Sequence, residues 1–316
     1  MRKALIIGIN YYENVSCLSG CVNDALAVQA VLERHSNGTK NFDVETILNV
    51  NSSSFTERKD IFDKIKEVFD CDDTALFYFS GHGGADKNHG FLALSEFHHV
   101  SDGVSMSYIL TWANESKAKN KIIILDCCHA GQFGTIETFH KMAALGDGIT
   151  ILSACKDNES AIEENGGGLF THLLVDALNG SAADLVGQIS PGSVYAHIDQ
   201  SLGAWEQRPV FKTNVQNFIS LRNVLPSIET KELQEIINLF PKPASEFALD
   251  PSYEYTSKKP ILENVTKFKL LQKMFKVNLV RPIGEEYMYD AAINSKKCSL
   301  TPLGKHYWDL VNRRRI

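Results

Sequence analysis

Side chains suited to nucleophilic chemistry follow two apolar runs. Ile122–Leu125 leads into Asp126, Cys127, Cys128 and His129, and Ala75–Phe79 leads into Ser80, Gly81, His82, Gly83 and Gly84. A thiolate, not a thiol, is the nucleophile, and free cysteine is mostly protonated near neutral pH. A cysteine that attacks therefore needs a base within hydrogen-bonding reach. His82, within SGHGG, is the candidate for that base. The glycines around it let the backbone approach a substrate closely and offer amides to a developing oxyanion. A third run, Ala4–Ile9, is followed by Asn10, Tyr11 and Tyr12, then by a loop carrying Cys21 and Asp24.

The runs themselves say what must hold these groups. Ala4–Ile9, Ala75–Phe79, Ile122–Leu125 and the weaker Ile149–Leu152 lack polar alternation, which suits strands buried on both faces. Asn23–Glu33, Thr56–Phe69, Ser105–Ala113 and Leu169–Leu178 have helical apolar spacing. Strands alternating with helices predict parallel pairing and a three-layer α/β domain. Ligands of such sheets bind beyond the carboxyl ends of the strands. If the strands are neighbours, the three reactive stretches share one edge.

With 316 residues, 44% of them hydrophobic and 22% charged, the chain has ordinary globular composition and length for about two domains. Seven cysteines, an odd number without framework spacing, argue against a disulfide scaffold. The first apolar stretch, interrupted by Gly8, is too short for a signal peptide, and no run approaches the roughly 20 residues that span a bilayer. These features predict a reducing, cytoplasmic setting and no membrane partner. A net charge of −6 disfavours general nucleic-acid binding.

The motifs KALIIGINYY, GCVND (Gly20–Asp24), SGHGG (Ser80–Gly84) and DCCHAG (Asp126–Gly131), with Gly168–Leu178, resemble the metacaspases and their bacterial caspase-like relatives. The resemblance covers about residues 1–222. It implies a caspase-like α/β fold with a mostly parallel central sheet. Cys128 aligns with the nucleophile of that family and His82 with its base, and Cys128 follows His82 by 46 positions. The resemblance places the oxyanion hole at the amides of Gly83 and Cys128. It assigns the primary specificity pocket to Cys21, Asp24, Ser80 and Asp126. Two carboxylates there favour a guanidinium or ammonium, with bidentate geometry preferring arginine. The implied activity is a cysteine endopeptidase cutting proteins at exposed Arg or Lys sites, with no cofactor.

Two departures matter. The sequence offers no Asn or Asp partner for His82, so a backbone carbonyl is expected to orient it. The stretch Ala85–Ser95 has one carboxylate, Asp86, too few for a calcium loop, so calcium-independent activity is expected. No metal site is expected, because His89, His98 and His99 have no usual zinc spacing with His82 and Cys128.

Cys127 should be structural, on the opposite face of its strand from Cys128. His129 is expected to hold a loop, Cys71 and Cys155 to be buried, and Cys17 and Cys298 to be exposed. Lys141, alone among basic residues in 132–148, is a candidate self-cleavage site. Beyond residue 222 a proline-punctuated connector, 223–260, with a helix near Lys231–Leu239, precedes a module over 261–316. Helix Leu262–Lys276, a β-hairpin within Glu286–Leu300, and helix Leu303–Val311 predict a small winged-helix-like α+β module. Its expected role is binding a regulatory protein partner. The alternatives are a catalytically silent scaffold or adaptor, which retention of both dyad residues disfavours, and a regulator acting through the C-terminal module.

Overall fold

A computed structural model describes residues 1–85, 90–127, 145–154, 163–164 (backbone only), 166–203 and 208–316. The chain divides into two units, residues 1–183 with 188–225, and residues 184–187 with 226–316.

In chain order the first unit contains β1 (Arg2–Ile9), α1 (Cys21–Leu32), β2 (Asp43–Asn49), α2 (Arg58–Phe69), β3 (Thr74–Ser80), β4 (Gly83–Ala85), β5 (Gly90–Leu92), β6 (Val104–Ser105), α3 (Met106–Glu115), β7 (Asn120–Asp126), β8 (Ile149–Ser153), β9 (Glu163–Glu164), β10 (Gly167–Gly168), α4 (Leu169–Asp176), β11 (Gln188–Ile189), α5 (Pro191–Ser201), β12 (Val210–Asn214) and β13 (Arg222–Asn223). The main sheet has the order β12-β8-β7-β3-β1-β2, parallel except for the edge strand β12. The four expected apolar runs are its four central strands. The edges β2 and β12 lack such runs because one flank of each meets solvent, so their sequences carry polar residues.

Strand alternation sorts the core into two layers. Ala75, Phe77, Phe79, Ile123 and Leu125 pack with residues of α2 and α3, while Leu76, Tyr78, Ile122 and Ile124 pack with residues of α1, α4 and α5. Cys127 continues the first set and is buried there, as its parity requires. Gly8 lies against α1: a Cβ there would sit 2.4 Å from the Cys21 carbonyl oxygen. Glycine at this point of β1 therefore lets the start of α1 rest on the sheet. Among the described residues no helix is long and apolar enough to cross a membrane.

The second unit contains α6 (Thr230–Gln234), α7 (Ile236–Leu239), β14 (Glu246–Ala248), α8 (Leu262–Lys276), β15 (Val280–Ile283), α9 (Met288–Ile293), β16 (Lys297–Leu300) and α10 (Pro302–Asn312). The segment expected as a connector is part of this unit. Leu233, Ile236, Phe240 and Leu249 share its core with Phe268, Leu271 and Met274. The expected hairpin within Glu286–Leu300 is not formed. Met288, Ala291 and Ala292 are buried at helical spacing and make α9. The strand that pairs with β16 is instead β15, antiparallel, with β14 on the other side of β16.

Two cysteines differ from expectation. Cys71 is only half-buried. Cys298, expected at the surface, is fully buried, because β16 is the central strand and Cys298 lies in register between Phe247 and Pro282. Burial pushes its thiol from 9.0 up to about 12. Below pH 9 the folded and unfolded chains both keep this proton. Between pH 9 and 12 only the unfolded chain releases it, so stability falls as pH rises, by roughly 1.4 kcal/mol per pH unit. Urea midpoints of the second unit's transition should drop from pH 8 to pH 10.5, and Cys298→Val should flatten that drop. An equal drop in the variant would remove Cys298 as its cause.

Candidate active site

The site is built where strand order reverses. From β1 the chain moves outward to β2, then returns to β3 and proceeds the other way to β7 and β8. The crevice beyond the carboxyl ends of β1 and β3 is the expected ligand position in such a sheet. Gly8, Ser80 and Asp126 stand in one row across β1, β3 and β7. The sequence reading that three reactive stretches meet at one edge is met for the described residues.

His82 follows β3 by two positions and is held at three points. Its backbone N–H donates to the Tyr12 hydroxyl at 2.7 Å, and its carbonyl accepts from Ala93 N–H at 2.9 Å. Its Nε2 lies 2.8 Å from the Ser16 carbonyl oxygen. A carbonyl can only accept, so Nε2 carries the proton and Nδ1 is the basic nitrogen. The expected backbone carbonyl is thus Ser16 O. The Tyr12 ring packs beside the imidazole, with centroids 4.7 Å apart. Burial pushes the Tyr12 phenol well up, despite the opposing effect of the His82 amide, so it stays neutral.

The loop carrying Tyr12 and Ser16 is fixed in turn. Asn10 and Tyr11 donate their N–H groups to the Asn49 carbonyl at 2.9 and 3.1 Å, and Asn10 Oδ1 accepts from Val22 N–H in the first turn of α1. The fully buried Asn49 side chain donates to Ser95 Oγ at 2.8 Å, and Glu13 N–H donates to the Ser95 carbonyl.

Gly83 begins β4, opposite Leu92. The bond from Ala93 N–H to His82 O makes Gly83–Leu92 a non-hydrogen-bonded pair, so the ladder turns the Gly83 amide away from β5.

The four expected pocket residues are all buried: Cys21, Asp24, Ser80 and Asp126. Even-numbered Ser80 and Asp126 point to the α1 and α4 layer. Ser80 Oγ donates to Asp24 Oδ2 at 3.1 Å, and Gly168 N–H reaches both Asp24 oxygens at 3.1 Å. Asp126 Oδ2 accepts from Thr171 N–H at 3.2 Å and from Thr171 Oγ1 at 2.6 Å. Both carboxylates therefore act as caps for the first turn of α4, where the helix dipole favours their charge. Cys21, in the first turn of α1, shares that edge.

Cys128 lies outside the described residues, as do Asp86, His89, His129, Lys141 and Cys155. Sequence reasoning missed the structural parts of this site. Ser16 contributes only a backbone carbonyl and leaves no side-chain signal. Tyr12 was visible as the third residue after a strand end, and Gly167–Gly168 as a pair before the helical run Leu169–Leu178.

Solved structures share this fold at low sequence identity. A protein of Geobacter sulfurreducens matches with a TM-score of 0.52 and 19% identity, over 71% of this chain and 97% of its own. Caspase-1 of Spodoptera frugiperda matches at 0.51 and 13%, over 70% and 90%. The fold is a caspase-like α/β fold with a mostly parallel sheet. The family model of the caspase domain matches residues 1–219, and the chain belongs to that family of cysteine proteases. Among curated relatives, metacaspase-1 of Schizosaccharomyces pombe is 33% identical over 91 residues, 28% of this chain and 21% of that protein. Metacaspase-1 of Plasmodium falciparum is 23% identical over 286 residues, 76% of this chain and 45% of that protein. The chain thus spans less than half the length of these relatives.

Two substitutions test the scaffold. Tyr12→Phe removes the acceptor of the His82 amide, which should lower stability by about 1–3 kcal/mol in urea titration. A Cβ on Gly168 would sit 2.2 Å from Asp126 Oδ2, although its backbone (φ −72°, ψ 131°) suits any residue. Gly168→Ala should therefore cost about 2 kcal/mol or more through the contact alone. Unchanged midpoints would show that neither contact bears on the fold.

Proposed function

We propose that the chain is a cysteine endopeptidase that cuts after arginine or lysine through a Cys128–His82 dyad. The observation that carries this reading is the bond between His82 Nε2 and the Ser16 carbonyl. It fixes the tautomer and leaves Nδ1 as the proton acceptor, on the same strand edge as Asp24 and Asp126. His82 takes the thiol proton, and the Cys128 sulfur bonds to the peptide carbonyl carbon. The C–N bond then breaks as His82 returns the proton to the leaving amine, and water releases the acyl group. The Gly83 and Cys128 amides would donate to the oxyanion. Asp24 and Asp126, with Ser80 and Cys21, form the inner wall of the basic-residue pocket. Two carboxylates give that wall its preference, and their hydrogen bonds hold their charge in place.

The substrates would be proteins with exposed basic sites, cut without calcium. Lys141 is a candidate self-cleavage position, and the C-terminal module over 261–316 a candidate for binding a regulatory protein. Fluorogenic Arg and Lys peptides test the central reading. Wild-type protein should hydrolyse them equally in chelator and in added calcium. Cys128→Ala and His82→Ala should lose at least about a thousandfold in kcat/KM. Turnover that survives Cys128→Ala would refute the dyad, and strict calcium dependence would refute the metal-free reading. Mass spectrometry of active and Cys128→Ala protein should show a break after Lys141 only in the active form.

A further inference from the structure

The contacts behind Asp126 go further than capping. Thr171 Oγ1 lies 2.6 Å from Asp126 Oδ2 and 2.6 Å from the Tyr78 hydroxyl. Its one proton goes to the carboxylate, which can only accept, so the Tyr78 O–H donates to Thr171. The result is a directed chain, Tyr78 to Thr171 to Asp126, beginning in the core layer behind β3 and ending at the last residue of β7. Tyr78 and Thr171 are fully buried. Burial pushes the Tyr78 phenol well up, and the nearby charges of Asp126 and Asp24 push it in the same direction, so Tyr78 keeps the proton it donates. Gly168 packs against the same carboxylate, where a Cβ would sit 2.2 Å from Oδ2. Asp126 is thus clamped between two Thr171 donors and the Gly168 backbone.

Clamping matters more for one basic side chain than for the other. A guanidinium is a planar fork and gains from a carboxylate held at a fixed angle, whereas an ammonium is a compact charge that tolerates rotation. Building on the basic-residue reading, we propose that Thr171, backed by Tyr78, is a positioning residue that sets the preference of the Asp126 side of the pocket for arginine over lysine. Thr171 touches no reacting atom; it acts through the angle of the Asp126 carboxylate.

Steady-state hydrolysis of matched Arg and Lys peptides tests this in Thr171→Val, Thr171→Ser and Tyr78→Phe. Valine keeps the shape and the backbone N–H but removes the hydroxyl donor. For Thr171→Val, kcat/KM on the Arg peptide should fall about tenfold, carried by KM, while the Lys peptide falls less than about threefold. Thr171→Ser should restore the wild-type Arg-to-Lys ratio. Tyr78→Phe, which leaves Thr171 in place, should lower the ratio in the same direction, so the inference can be judged even if Thr171→Val does not fold. Equal losses on both peptides, a loss in kcat alone, or unchanged ratios in these variants would overturn the inference and leave the endopeptidase reading intact. Wild-type protein that cuts neither peptide would overturn both.

Discussion

Two buried carboxylates at the end of a parallel sheet constrain how α1, β3, β7 and α4 come together. An ionised carboxylate out of water costs several kcal/mol unless it is paired or hydrogen-bonded. Asp24 and Asp126 meet that requirement at the start of α4, through Gly168 N–H, Thr171 and the Ser80 hydroxyl. The same bonds tie three elements to the β10–α4 junction, since Asp24 comes from α1, Ser80 from β3 and Asp126 from β7. Glycines at 8 and 168 are the complement of this arrangement, because the backbone of α1 and of β10 must come very close to the groups it serves.

The histidine loop follows a different logic. Among the described residues, the hydrogen bonds that hold His82 come from backbone groups and from one neutral phenol. An N–H, a carbonyl and a ring nitrogen each have a partner, so both the position and the tautomer of the imidazole are specified. Two of those partners belong to the segment between β1 and α1, which the buried Asn49 holds in shape. The base proposed at His82 gains precision from such support, as a catalytic constellation must be held within a fraction of an ångström.

The second unit has a separate core and a separate lesson. Its helices at Leu262–Lys276 and Pro302–Asn312 were readable from apolar spacing and from Pro302 at the first turn. Its sheet was not, because the three strands are short and their partners are distant in sequence: β16 pairs with β14, about fifty residues upstream, and with β15 across a helix. For the same reason Cys298 passed for a surface residue beside Lys296 and Lys297, when the pairing of strands on both sides of β16 buries it.

The sequence by itself determined the four central strands, the helices between them and the reactive stretches at the strand ends, because continuous apolar runs and helical periodicity are local properties. It also predicted that His82, Asp24 and Asp126 share one edge if their strands are neighbours, and the pairing of β1, β3 and β7 supplied that condition. Only the tertiary structure decided which carbonyl meets His82, that Thr171 and Gly168 clamp the carboxylates, and which strands cover Cys298. Those contacts join residues from 16 to more than 140 positions apart, largely through backbone groups and register, for which side-chain identity leaves no local mark.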